Sequence, residues 1–201
     1  ALPVLAPGQD ISEVSRYYED AQRYVAQNRL DEAVIQLKNA LQVDQQNVPA
    51  LMLLGDVSAR QGQVLAAEQL YTDALLLGAS PSLVSPKLAD VLLMQGAFDK
   101  LLREVEPAAL DPAARGQVLA YQAIARQELG DSQAARALLS QARPLADGTQ
   151  AVKLARIELA LADERLSEAL GISATLIGEG TTDARLFSVR ARVLSAAARP
   201  Q

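Results

Sequence analysis

Apolar and small residues recur along this chain at helical spacing, and the arrangement returns at one fixed interval. Within residues 28–41, NRLDEAVIQLKNAL, the positions Leu30, Ala33, Val34, Leu37, Ala40 and Leu41 fall on one helical face. Advancing from Asn28 in steps of 34 residues meets Gly62, Gly96, Gly130 and Glu164. From Ala33 the same step meets Ala67, Leu101, Ala135 and Ala169, and from Ala40 it meets Ala74, Ala108 and Ala142 before Leu176. From Ala21 it gives Gly55, Ala89, Ala123 and then Ile157. Small side chains let two helices approach closely, and Gly or Asn can take the left-handed conformation of a tight helix end. The pattern predicts two helices per 34-residue unit, repeated along the chain.

Local signals set the boundaries. Residues 1–10 contain two Pro and a Gly without periodicity and are expected as a flexible lead-in. A single array is expected over 11–198, with repeats at about 14–47, 48–81, 82–115, 116–149 and 150–180 and a terminal helix over 184–198. Asp10 and Glu13 have the spacing of a capping box for a first helix over 11–26. Gly55 is expected as a close-approach position and Gly62 as a turn. Tyr71 is expected as an aromatic plug between helices, and Tyr17, Tyr24 and Phe98 read as core in the same way. The second helix of the third repeat should be short or irregular, because Pro107 cuts it and Leu101 stands where Ala is expected. Ser80-Pro81 and Asp111-Pro112 each supply an N-cap followed by Pro at the first helical position. The fifth repeat fits less well, with a one-residue slip expected in its first helix. The terminal helix either caps the stack or marks where a longer array continues.

Composition narrows the chemistry. With no Cys and no His, thiol nucleophiles, disulfides and the usual structural zinc sites are excluded. A net charge of −5 argues against capture of nucleic acid or an anionic membrane surface. No apolar run reaches the roughly 18–20 residues of a membrane span. No Gly-rich phosphate loop or nucleophile elbow is present, so neither an enzyme nor a cofactor is expected. The chain opens on ALPVLAPGQD without a basic or apolar leader pattern and is read as a processed or trimmed fragment.

The 34-residue period over about residues 12–198 resembles the tetratricopeptide repeat (TPR) family. The blocks AVIQLKNALQ (33–42), LLGDVSARQG (53–62), AAEQLYTDALLLGA (66–79) and LADVLLMQG (88–96) further resemble the long TPR lipoproteins found with PEP-CTERM/exosortase and exopolysaccharide loci. The resemblance implies an all-α, right-handed superhelix of antiparallel helix pairs, about five repeats plus a terminal helix. It implies a non-catalytic scaffold that binds a peptide or helical segment in a concave groove. The narrower resemblance implies the N-terminal part of a longer protein in the periplasm or envelope of a Gram-negative bacterium. There it would act in protein sorting or exopolysaccharide assembly. Alternatives are an exopolysaccharide-binding module, for which Tyr18 and Phe187 are the stacking candidates, and a self-assembling module. Self-association would use Leu186, Phe187 and Val189 of the terminal helix.

Carrying the family's inward positions onto this sequence gives Tyr18 and Gln22, then Met52, Asp56, Ala59 and Arg60. The later repeats supply Asp90, Leu93, Met94, Ile124, Gln127, Glu128, Leu154 and Glu158. Asp56, Asp90 and Glu158 are equivalent positions, and such acids would repel a terminal carboxylate. They favour a basic or neutral protein partner with apolar anchors for Met52 and Leu93. The alternative is that the acids form a solvated face.

Overall fold

The computed structural model describes residues 7–178 and 184–197, which form eleven helices without a strand. In order these are α1 (Pro7–Ala26), α2 (Leu30–Val43), α3 (Val48–Arg60), α4 (Val64–Leu76), α5 (Pro81–Met94) and α6 (Phe98–Glu104). They continue as α7 (Pro112–Glu128), α8 (Ser132–Ala146), α9 (Gln150–Ala162), α10 (Leu166–Gly178) and α11 (Ala184–Ala197). The helices group into two compact units, up to Val91 and from Leu92 onward, with the division inside α5.

The 34-residue series that begins at Asn28 is the set of turns within helix pairs. Asn28, Gly62, Gly96, Gly130 and Glu164 all take positive φ, at 57°, 75°, 69°, 83° and 57°. Each is followed by an amide that reaches back across the helix end. Arg29 N–H donates to Tyr24 C=O at 2.9 Å, Gln63 to Ser58 at 2.8 Å and Ala97 to Leu92 at 3.0 Å. Asp131 donates to Arg126 at 2.9 Å and Arg165 to Ala160 at 2.8 Å. One left-handed residue thus satisfies carbonyls that the helix end leaves open and reverses the chain into the next helix. The register holds through the fifth repeat, with Ile157 fully buried and Glu164 at the turn, so the expected slip is absent.

In the first unit the small positions form the contact surfaces. Ala21, Ala33, Ala40, Ala67, Ala74 and Ala89 are fully buried. Gly55 faces Tyr71 so closely that a Cβ would stand 2.5 Å from the ring Cε1. Tyr71 is the plug expected between α3 and α4, 2% exposed. The α3 N-terminus is capped by Asn47, whose side chain accepts from Ala50 N–H at 3.0 Å, with Pro49 in the first turn. At the chain start, α1 begins at Pro7, so residues 7–10 are helical where a lead-in was expected. Asp10 consequently lies inside α1 and not ahead of it.

The second unit holds the irregular repeat. α6 stops at Glu104 after seven residues, as Pro107 requires. Ala108, in step with Ala40 and Ala74, falls outside any helix and is exposed. Val105 and Leu110 are buried there instead. Gln122 on α7, itself buried, donates from Nε2 to Val105 C=O at 2.9 Å, satisfying a carbonyl freed by the early helix end. Gly116 is a second close-approach glycine that the period does not mark. A Cβ on it would come within 2.6 Å of Ala146 Cβ. Asp111 caps α7 through Ala114 N–H at 2.8 Å, as its Asp-Pro pair predicts.

Candidate functional site

In the first unit the inward positions are largely occupied by the protein itself. Tyr18 is half-buried and packs against the core of α1, α2 and α3. Met52 packs against the cluster of Ala67, Tyr71, Val84 and Val91. Gln22 and Arg60 are exposed. Asp56 is half-buried and accepts two hydrogen bonds, from Tyr71 Oη at 2.8 Å and from Lys87 Nζ at 2.6 Å. Burial first, then the Asp56 carboxylate, push the Tyr71 phenol well above its ordinary range, with Asp90 adding to the effect. The carboxylate expected to face a partner is therefore already held by a phenol and an ammonium. Sequence reading placed Asp56 on the inward face and overlooked Lys87, 31 residues further on, which neutralises it.

The second unit opens a cleft of about 380 Å³ lined by residues of α5, α6, α7, α9 and α11. Leu93, Met94, Ile124, Glu128, Leu154 and Glu158, all inward positions by sequence, come together there. Gln127 is half-buried and does not line it. Phe98, expected as a core plug, lines the cleft, as do Val189 and Arg192 of α11. Val189 is 5% exposed, so this candidate for self-association is turned into its own unit. Phe187 is 52% exposed, and the Leu186 side chain lies outside the described residues.

Arg192 was legible in principle. It stands 34 residues after Glu158, at the next member of the series Asp56, Asp90, Ile124, Glu158. Its Nη1 donates to Glu158 Oε1 at 2.9 Å. Glu158 is 8% exposed, and burial raises its pKa above the ordinary glutamate value. Arg192 opposes that rise and Glu128 adds to it. The cleft thus combines an apolar lining with one ion pair, whose carboxylate is buried and whose guanidinium is exposed, and a second acid. Among the described residues no group of three or more His, Cys, Asp or Glu could hold a metal ion. No described helix is long and apolar enough to cross a membrane.

Residues 21–62 match the family model for the TPR repeat, a segment that ends on the Gly62 turn. No curated protein matches the chain in sequence. Among solved structures it is similar to a tetratricopeptide repeat protein from Parabacteroides merdae. There the TM-score is 0.60 at 19% identity, over 92% of this chain and 74% of the other. It is also similar to a thermophilic TPR protein of Thermus thermophilus, with TM-score 0.61 at 23% identity over 92% of this chain and 98% of that one. YrrB, described as a TPR protein with an unusual peptide-binding site, gives TM-score 0.53 at 19% identity over 90% of each chain. The fold is the all-α TPR solenoid fold, and residues 21–62 carry its repeat signature.

Proposed function

We propose that the chain is a non-catalytic protein-interaction module that seats a peptide or helical segment in the cleft of its second unit. The observation that supports this reading best is the lining itself. Leu93, Met94, Phe98, Ile124 and Leu154 offer apolar surface from four helices beside a single ion pair. A few polar groups set in an apolar concavity are the usual make-up of a recognition site. YrrB, which shares the fold, is described as having a peptide-binding site of its own. The test is a randomised peptide library displayed on phage, selected on the intact chain and counter-selected on Met94→Glu. Recovered peptides should bind the native chain at least about tenfold more tightly than the variant, the equivalent of about 1.4 kcal/mol. Circular dichroism should show the variant folded. Peptides indifferent to the substitution would place recognition elsewhere.

We further propose the Gram-negative cell envelope as the setting, with a role in protein sorting or exopolysaccharide assembly. This rests on the four sequence blocks between residues 33 and 96. Fractionation of native cells with antibody to this chain tests it, and a purely cytosolic signal would refute it. Direct carbohydrate binding is the weaker reading, because Tyr18 is engaged by the core.

A further inference from the structure

The charge in the cleft is uneven, and it indicates what kind of segment the cleft takes. Its ionisable lining groups are Glu128, Glu158 and Arg192, two carboxylates against one guanidinium. Arg192 is bound to Glu158, and among the described residues no cation is paired with Glu128, which is exposed. The two carboxylates are near enough for Glu128 to disfavour ionisation of Glu158. Arg192 provides an intramolecular precedent. A cation from the repeat position that follows Glu158 is accepted against this acidic side of the cleft.

We infer that the segment seated in this cleft carries Lys or Arg within about one helical turn of its apolar anchor, the cation being taken by Glu128. The inference rests on the reading of the cleft as a peptide site and adds the chemistry of the partner. A long cationic side chain can lay its methylene stem along Met94 and Phe98 while its head stays at the carboxylate. The Phe98 ring adds a favourable quadrupole for a nearby cation. An acidic segment meets the opposite situation. It would face Glu128 with like charge, and at Arg192 it would have to share a guanidinium that already donates to Glu158. The net charge of −5 on the whole chain steers encounter in the same direction.

The same phage selection decides the matter, because it separates this inference from the reading beneath it. Peptides lost on Met94→Glu are sequenced, and the leading one is synthesised with each Lys or Arg in turn replaced by Ala. Calorimetric titration is then run against the native chain, Glu128→Gln and Glu128→Lys at low salt. The expected result is enrichment of Lys and Arg over Asp and Glu, with one position whose replacement weakens binding about three- to tenfold. Glu128→Gln should abolish the contribution of that position, and Glu128→Lys should penalise the native peptide further. Cleft-dependent peptides without basic enrichment would overturn this inference and leave the peptide site standing. So would a basic preference that persists in Glu128→Gln. Failure to recover any cleft-dependent peptide would overturn both.

Discussion

Gly55 and Tyr71 show how a single missing side chain sets the spacing of two helices. The ring of Tyr71 fills the space a Cβ would need, and its hydroxyl is tied to Asp56 at 2.8 Å. The ring therefore cannot swing aside without breaking that bond. Replacing Gly by Ala inside a helix ordinarily gains about 1 kcal/mol from propensity. Here a contact at 2.5 Å against a buried ring outweighs that gain. Gly55→Ala should destabilise the protein by about 1–3 kcal/mol, the usual range for overpacking. Gly171 in α10 is the internal control, since a Cβ there meets nothing within 4 Å. Gly171→Ala should raise stability, and urea unfolding of the two variants would show opposite shifts in midpoint. The close approach at Gly55 was legible because the period aligns it with Ala21, Ala89 and Ala123. The one at Gly116 was not, because its partner Ala146 lies on α8 and nothing in the spacing names that pair.

The helix pair is the unit in which sequence and structure agree most closely. Every turn position expected from the Asn28 series is left-handed, including Glu164, where neither Gly nor Asn stands. A side chain with a Cβ in that conformation costs about 1–2 kcal/mol, and the hydrogen bond from Arg165 to Ala160 holds the turn against it. Glu164→Gly should therefore stabilise the chain by about 1 kcal/mol, read as a rise in thermal midpoint. A fall would mean that the Glu164 side chain makes a contribution larger than the strain. The short α6 was also legible, since Pro107 forbids its continuation. What replaced the lost turn was not legible. Val105 and Leu110 take over burial from Ala108, and the carbonyl of Val105 finds Gln122 on α7, a pairing across 17 residues that no local signal announces.

At the scale of the whole chain, the period aligns equivalent positions but does not say which charges at those positions stay available. Asp56 and Glu158 were read as one ladder of acids, yet each meets a cation contributed by a later helix, Lys87 from α5 and Arg192 from α11. Charge neutralisation of this kind depends on side-chain reach between helices; the period marks the position of Arg192, 34 residues after Glu158, but not that of Lys87. For Glu158 it leaves a measurable residue. The groups that face it are Arg192, which favours its charge, and Glu128, which disfavours it, and burial, reinforced by Glu128, outweighs Arg192. Its folded pKa is raised above the unfolded value of about 4.3, so the acid form is the one that folding prefers. That stabilisation is fully present below the unfolded pKa and is lost as pH rises through the raised folded value. At neutral pH the ionised side chain therefore costs stability relative to its protonated form, and Glu158→Gln, which keeps the shape without the charge, should unfold later than the native chain. Lowering the pH toward the ordinary glutamate range should close the gap between the two, because native Glu158 then becomes neutral as well. Paired thermal melts across that window test the point. A gap that widens as the pH falls would mean that the bond to Arg192 outweighs burial, and that the ion pair in the cleft stabilises the fold.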